Sequence, residues 1–296
     1  MSNRPDILCI GSVLWDLVGR HDGRMATGYD VPGAIRRLPG GVAMNVAMTL
    51  IRFGLRPAVL TAIGTDPEGE QLMAACAERG VDARFALRDP DLPTDRYMAI
   101  EDTAGLIAAV ADARSLERAG AAILGPLEDG RLASTAAPWT GPVVLDGNLD
   151  IAVLEQIASS DVLAKADLRL VPASPGKASR LRPFLGVGNA TLYVNLTEAG
   201  LILNHEFEDS ADAAKAMLSS GAARVLITDG AAAATDACAE EMHRTKPPEV
   251  FPKRITGAGD TFMAAHIAAE LAGHGRAYAL EAAIQAASTY VSEVAE

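Results

Sequence analysis

Thr256-Gly257-Ala258-Gly259-Asp260-Thr261-Phe262 runs straight into the Ala-rich stretch Met263 to Leu271, and together they read as a glycine turn that opens a helix. The two glycines let backbone N–H groups crowd toward one point, and the following helix aims its positive end at the same point. That arrangement suits an anion. A carboxylate directly after it, at Asp260, is disfavoured in a site built for negative charge unless it has a task. Taking a proton from an attacking hydroxyl is such a task. The plainer reading of the same residues is a glycine-containing turn with an aspartate at a helix start.

Upstream of this turn the chain alternates strand and helix patterns. Ile7 to Ile10 reads as a short apolar strand, Val42 to Phe53 as a helix with apolar residues at helical spacing, Ala58 to Ile63 as a strand, and Glu68 to Arg79 as a helix. Further strands are expected at Ala121 to Leu124, Val143 to Leu145, Leu168 to Val171, Leu192 to Val194 and Val225 to Thr228, with helical patterns such as Ala211 to Ser219 between them. This grammar predicts an α/β fold with a doubly wound, mostly parallel sheet flanked by helices. Two regions lack helices: Val13 to Leu38, and Arg96 to Val110 around Thr103-Ala104-Gly105. They are read as strands leaving the core to form a small sheet, a lid over the site and part of a dimer contact; two long surface hairpins are the alternative. The expected organisation is a single domain over residues 1–296, with a core of 1–11, 41–93 and 113–296 and a lid of 12–40 and 94–112.

Composition narrows the function. With 296 residues, 49% of them hydrophobic and 22% charged, the chain can bury a large core. A formal charge of -12 repels polyanions, and no basic patch offsets it, so no nucleic-acid partner is expected. Met1 to Asp6 lacks the apolar core of a signal peptide, and no apolar run approaches a membrane span; the expectation is a cytoplasmic protein with no membrane partner. Cys9, Cys76 and Cys238 are few, odd in number and far apart, which suits buried free thiols.

The commoner phosphate and hydrolase motifs are missing. Gly125 and Gly130 have Walker spacing but Arg131-Leu132 follow, and Phe262 stands where a dinucleotide fingerprint needs its third glycine. His205-Glu206 has no second histidine four residues on, and neither Gly11-Ser12 nor Gly176-Lys177 forms a nucleophile elbow. A second informative segment is Gly40-Gly41-Val42-Ala43-Met44-Asn45, which opens a helix. Paired glycines let backbone approach a bound hydroxylated molecule, and Asn45 donates and accepts at once, which suits a sugar diol. Asp16, in the first extended segment, can accept hydroxyl hydrogen bonds in the same place, or is a solvated strand residue.

These segments together resemble the ribokinase family of carbohydrate and nucleoside kinases, also called the PfkB family. The resemblance runs over essentially the whole chain: the Asp16 strand, Gly40-Gly41 and Asn45 with Leu50, Phe53 and Gly54, Ile63-Gly64-Thr65-Asp66-Pro67-Glu68-Gly69, Asn195-Leu196-Thr197-Glu198, Thr228-Asp229-Gly230, and the glycine turn with Asp260. It implies a ribokinase-like fold and transfer of the ATP γ-phosphoryl group to a primary alcohol. Asp260 is then the catalytic base, and the amides of Gly257, Ala258, Gly259 and Asp260 form the anion hole. Asp16, Gly40, Gly41 and Asn45 hold the acceptor. Asn195 and Glu198 position Mg²⁺ and phosphates through water, Glu198 being otherwise an ordinary helix residue, and Asn195, Thr228, Gly230, Gly257 and Gly259 border the nucleotide.

One departure stands out. Family members often carry an acid two positions before the motif threonine, where it helps bind a monovalent cation; here Arg254 stands there, followed by Ile255. A guanidinium cannot ligate potassium. Arg254 is expected to supply the positive charge itself or to point to solvent, so no monovalent cation is required. Two further segments resemble the pseudouridine kinases within the family: Leu106-Ile107-Ala108-Ala109-Val110-Ala111-Asp112 with Ser115-Leu116-Glu117, and Val171-Pro172-Ala173-Ser174-Pro175-Gly176-Lys177-Ala178. They imply phosphorylation of pseudouridine to pseudouridine 5′-phosphate. Tyr97, Met98 and the lid around Trp15 are placed either to flank a planar base or simply to pack, and Lys177 either to approach a phosphate or a uracil carbonyl or to lie on the surface. Another ribonucleoside or a sugar as acceptor, and a sugar- or nucleoside-binding regulatory protein without catalysis, stay open beside this reading.

Overall fold

Successive residues of a strand point to opposite faces, and the first strand shows what that does here. Leu8 and Ile10 enter one apolar layer, while Ile7 and Cys9 enter another. The same split recurs at Leu192 and Val194 against Tyr193, and at Val225 and Ile227 against Leu226. A sheet buried on both faces needs helices on both sides, which is what the apolar runs predict.

The computed structural model describes residues 4–293. In chain order its elements are β1 (Ile7–Ile10), β2 (Leu14–Arg20), β3 (Ala34–Gly40), α1 (Val42–Arg52), β4 (Pro57–Leu60), β5 (Ala62–Gly64), α2 (Pro67–Glu78), β6 (Leu87–Asp89), β7 (Arg96–Asp102), β8 (Gly105–Asp112), α3 (Arg114–Ala119) and α4 (Gly125–Glu128). They continue with β9 (Pro142–Asp146), α5 (Ile151–Ala158), β10 (Asp167–Val171), β11 (Ala190–Asn195), α6 (Leu196–Leu203), α7 (Ser210–Ser219), β12 (Arg224–Thr228), β13 (Ala234–Cys238), β14 (Met242–Thr245), α8 (Ala258–Leu271) and α9 (Arg276–Ser292). The main sheet has eight strands in the order β14-β13-β12-β11-β10-β9-β1-β4, and a second sheet has the order β3-β2-β7-β8. From β4 across to β12 every pairing in the main sheet is parallel; β13 and β14 add an antiparallel edge. Apolar residues of α1, α2, α8 and α9 cover one face, and those of α4 to α7 the other.

Two strand expectations are corrected. Ala121 to Leu124 lies in a 3-10 helix, Gly120–Leu124, because a four-residue apolar run cannot declare its own period and Gly120 turns the chain at φ 51°. The run Ala58 to Ile63 breaks at Thr61, where the chain leaves β4 and pairs next with β6 through β5. Of the three thiols, Cys9 and Cys76 are buried as expected, whereas Cys238 is half-buried and lies 2.7 Å from Arg276 Nη1. Among the described residues no helix is long and apolar enough to cross a membrane.

The α8 face carries an unexpected polar cluster. Fully buried Asp236 of β13 accepts from Arg224 Nε at 2.9 Å and from Arg276 Nε at 3.2 Å, while Glu270 of α8 meets Arg169 and Arg224, each at 2.7 Å. Tyr193 Oη joins His266 Nδ1 at 2.8 Å and accepts from Arg169 at 2.9 Å. Burial alone would raise the Asp236 pKa, but His266 and the guanidinium groups of Arg224 and Arg276 hold it well below the usual carboxylate range. Burial lowers the pKa of His266, against the pull of Asp236.

Asp236→Ala leaves two guanidinium groups facing an empty, desolvated position, so it should cost about 3–5 kcal/mol of stability, read as the shift in a urea unfolding curve at pH 7. Because the folded pKa of Asp236 is depressed, its contribution is full above an unfolded value of about 3.9 and disappears as pH falls below it. The gap between wild type and variant should therefore close on acidification; a gap that stays constant would assign the loss to packing.

Candidate active site

In a parallel α/β sheet, ligands collect outside the carboxyl ends of the strands, because the loops there are free to diverge and helix N-termini point back toward them. Here β1 and β9 end side by side. Ser12, just past β1, gives its backbone N–H to Asp146 Oδ2 at 2.8 Å and its hydroxyl to the same oxygen at 2.5 Å. Asn148 donates to Ser12 Oγ at 3.0 Å, Val42 N, at the start of α1, donates to the same hydroxyl at 3.0 Å, and Lys177 Nζ donates to Asn148 Oδ1 at 2.6 Å. Burial raises the pKa of Asp146 although Ser12 and Asn148 stabilise its charge. The Lys177 pKa is lowered, first by burial and then by Arg180.

The acceptor residues predicted from sequence converge beside this group. Asp16 in β2 lies over Gly40, where any Cβ would collide with its carboxylate. Gly41 holds φ 91°, and a Cβ there would stand 2.5 Å from Ser12 O. These two glycines let β3 end against the Asp16 strand and turn at once into α1. One turn along, Asn45 Nδ2 donates to Asp260 Oδ2 at 3.0 Å, joining segments 215 residues apart. Asp260 is the third residue of α8, behind Gly257 at φ 88°. Burial pushes the Asp260 carboxyl up to about 7; the Asn45 amide opposes this, while the charges of Asp146, Asp16 and Glu198 add to it. Burial likewise brings Asp16 to about 6.

The helix-terminal amides divide. Ala258 N donates to Ile255 O at 3.1 Å and Thr261 N to Gly257 O at 3.0 Å, so the first-turn donors without an intrahelical acceptor that face outward from α8 are those of Gly259 and Asp260. Asn195 and Glu198 form a capping box on α6, with Glu198 N to Asn195 Oδ1 at 2.9 Å and Asn195 N to Glu198 Oε2 at 2.8 Å. Glu198 is buried and its pKa is raised by that burial. Asn195 pairs in register with Thr228 at the ends of β11 and β12, and Gly230 follows at φ 53°.

The residues expected to flank a base separate. Tyr97 pairs with Asp16 and shares its face, whereas Met98 pairs with Leu17 on the opposite face. Trp15 is turned away from Asp16, its indole N–H donating to Glu68 O at 2.9 Å and Arg37 stacked 4.3 Å above its ring. Arg254 does not point to solvent: its Nε donates to Tyr290 O at 2.8 Å. Arg180, two residues past the second of the segments that resemble the pseudouridine branch, lies 3.3 Å from Glu117 of the first and donates to Asn148 O at 3.2 Å. Sequence reasoning missed Ser12, Asp146, Asn148 and Tyr290. The signal available for Asp146-Gly147-Asn148 was its place at the end of an expected parallel strand; Tyr290, inside a plain amphipathic helix, offered none.

The model of the pfkB family carbohydrate kinases matches residues 4–295. The chain is 27% identical over 270 residues to a pseudouridine kinase of Escherichia coli (strain K12), which covers 89% of this chain and 83% of the relative. A carbohydrate kinase from Agrobacterium tumefaciens superposes with a TM-score of 0.78 at 26% identity, over 95% of this chain and 89% of that one. An Escherichia coli protein described as a candidate ribokinase II, solved with ATP and Mg²⁺, superposes with a TM-score of 0.78 at 18% identity, over 98% of this chain and 94% of that one. The ribokinase-like fold expected from the sequence is the fold observed.

A carbon-detected NMR titration of the Asp260 carboxyl, assigned by its loss in Asp260→Asn, should show a midpoint near 7. Asn45→Ala removes a donor that favours the charged form, so the midpoint should move upward. An unmoved midpoint would mean that the two side chains do not meet in solution.

Proposed function

The chain belongs to the pfkB family of carbohydrate kinases, and we propose that it transfers the γ-phosphoryl group of Mg·ATP to the 5′-hydroxyl of a ribonucleoside, pseudouridine before other acceptors, in the cytoplasm. As a family member it is a phosphotransferase acting on a hydroxyl group. The observation that carries the assignment is Asp260: a carboxylate tuned to about 7, oriented by Asn45, in the first turn of α8. A base at that pKa is half deprotonated at neutral pH and holds a proton well enough to receive one from an alcohol.

The chemistry follows from these positions. Asp16 and Asn45 hold the sugar hydroxyls over Gly40 and Gly41. Asp260 takes the proton of the attacking hydroxyl as its oxygen bonds to the γ-phosphorus and the bond to the leaving ADP breaks. The Gly259 and Asp260 amides and the α8 dipole stabilise charge on the transferred group. Among the described residues no group of three or more His, Cys, Asp or Glu surrounds a metal-sized point, which suits Mg²⁺ carried mainly by phosphates with one or two protein contacts. Glu198 engages only Oε2 in its cap, so Glu198 and Asn195 would hold the hydrated ion, which supplies charge neutralisation. Thr228 and Gly230 would border the nucleotide beside Asn195.

Asn148 and Lys177 support a uracil acceptor. A C-linked uracil keeps an N–H where an ordinary nucleoside carries its sugar, so selectivity requires an acceptor beside a donor for the ring carbonyls. Asn148 Oδ1 and Lys177 Nζ provide both kinds of group side by side. We also take the second sheet, residues 12–40 with 94–112, as a lid on the core. Its two rows Arg37-Leu17-Met98-Val110 and Ile35-Gly19-Ile100-Ala108 share the face opposite Asp16, and there Ile35 is 81% and Val110 68% exposed. An apolar sheet face of this kind suits a second copy of the chain.

Purified protein with Mg·ATP in potassium-free buffer should release ADP with pseudouridine and much less with uridine, cytidine, adenosine, ribose or fructose. Asp260→Asn should lower that turnover by about 10²–10⁴ while ATP binding persists. Turnover with another acceptor alone would keep the kinase and discard the uracil reading. Silence across the panel would favour a binding protein, and saturable activation by K⁺ would overturn the claim that no monovalent cation is required.

Sedimentation should show a dimer that Val110→Glu dissociates without changing the circular dichroism. A monomeric wild type at micromolar concentration would remove the lid contact.

A further inference from the structure

Between β14 and α8 the chain crosses residues 246–257 without regular structure, and its apolar side chains face water, Phe251 at 92% and Ile255 at 75% exposure. Such a segment buries too little to hold itself in place, yet it ends in the turn whose amides must be aimed within a fraction of an ångström. The C-terminal end of α9 supplies what the segment lacks. The last carbonyls of a helix have no partners within it and carry its negative end. Two of them are used here: Val291 O accepts from Lys253 N at 2.7 Å, and Tyr290 O accepts from Arg254 Nε at 2.8 Å.

The same residues close a second loop of contacts. The Arg254 guanidinium carbon lies 3.7 Å from the Tyr290 ring centroid, and Arg254 Nη2 is 3.7 Å from Glu293 Oε2. The Tyr290 hydroxyl donates to Thr256 O at 2.8 Å. A Cβ at Gly257 would stand 2.5 Å from that hydroxyl, so the phenol sits where only glycine leaves room. Burial raises the phenol pKa, and the charges of Asp260 and Asp16 raise it further against Arg254 and Arg52, so the hydroxyl keeps its proton to donate.

We propose that Arg254 and Tyr290 are positioning residues for the anion-binding turn: α9 holds the guanidinium, the guanidinium holds the ring, and the ring hydroxyl fixes the Thr256 carbonyl so that Gly257 starts α8 in one orientation. The guanidinium acts by its planar, forked shape rather than by its charge alone, since it stacks and donates at once. The expected effect on turnover rests on the kinase reading; the effect on the turn itself does not.

Two measurements on Tyr290→Phe, Arg254→Lys and Arg254→Ala test this. Tyr290→Phe keeps the ring and removes one donor; it should lower kcat roughly tenfold with KM for the acceptor changed less than about twofold, because aim is lost and binding is not. Arg254→Lys keeps the charge and should behave like Arg254→Ala rather than like wild type. Hydrogen exchange read by mass spectrometry should rise across residues 253–262 in all three variants and stay constant in the main-sheet strands. Wild-type kcat and wild-type exchange in Tyr290→Phe would overturn the proposal, as would full rescue by lysine. If the wild type phosphorylates nothing, the kinase reading fails and exchange alone decides: unchanged protection at 253–262 then overturns the clamp.

Discussion

Asp16, Asp146, Glu198 and Asp260 are carboxylates drawn out of water, and the cost of charging them there is the constraint to which the rest of the site answers. Each has a pKa raised by burial, and the other three charges act on Asp260 together. For a carboxylate with a raised folded pKa, stability is full below the unfolded value and is lost as pH rises through the folded one. Near neutral pH the charging of these carboxylates therefore weakens the fold that carries them. Two apolar layers on either side of an eight-stranded sheet supply the excess that makes this tolerable.

The neighbours of the four carboxylates explain how they stay distinct. Asp146 is tied down by Ser12 and Asn148, Glu198 gives one oxygen to the α6 cap, and Asp16 lies over Gly40. Asp260 accepts from Asn45, and burial with the charges of the other three lifts its carboxyl to about 7. Depth of burial and the charge of the neighbours, with hydrogen bonding acting against them, thus set these carboxylates apart although their residue types are alike. An acidic site for a polyanionic donor is consistent once helix amides and a divalent ion are counted, because they act at short range and out of reach of screening.

Polar groups buried far from the cleft do different work. Apolar contact between α8 and the sheet is non-directional and tolerates sliding, whereas Glu270, His266, Asp236 and three arginines meet only in one arrangement. At the other end of α8 the turn before it is held from α9. The helix that carries Asp260 is thereby fixed near both termini, and α1 meets it between them through Asn45.

Much of this was legible in the chain. The continuous apolar run Ile7 to Ile10 is read as a strand, Glu68 to Arg79 is read as the helix that becomes α2, and Gly257 is read as part of a turn before a helix. These depend on a residue and its neighbours within about a turn, where sterics and local hydrogen bonds settle the backbone. The run Ala121 to Leu124 shows the limit, since four apolar residues satisfy either period and packing beside Gly120 decided for a 3-10 turn. What no local pattern contains is which distant groups meet: Asn45 with Asp260, Ser12 with Asp146, Glu117 with Arg180, Arg254 with Tyr290. That Trp15 lies opposite Asp16 follows from strand alternation, but that its indole N–H meets Glu68 O was settled by α2. The sequence by itself determined the order and kind of the elements and placed a carboxylate behind a glycine turn. Only the tertiary structure decided that carboxylate's pKa, its partner and the clamp on its turn, because burial and through-space charge depend on residues that come together when the sheet closes.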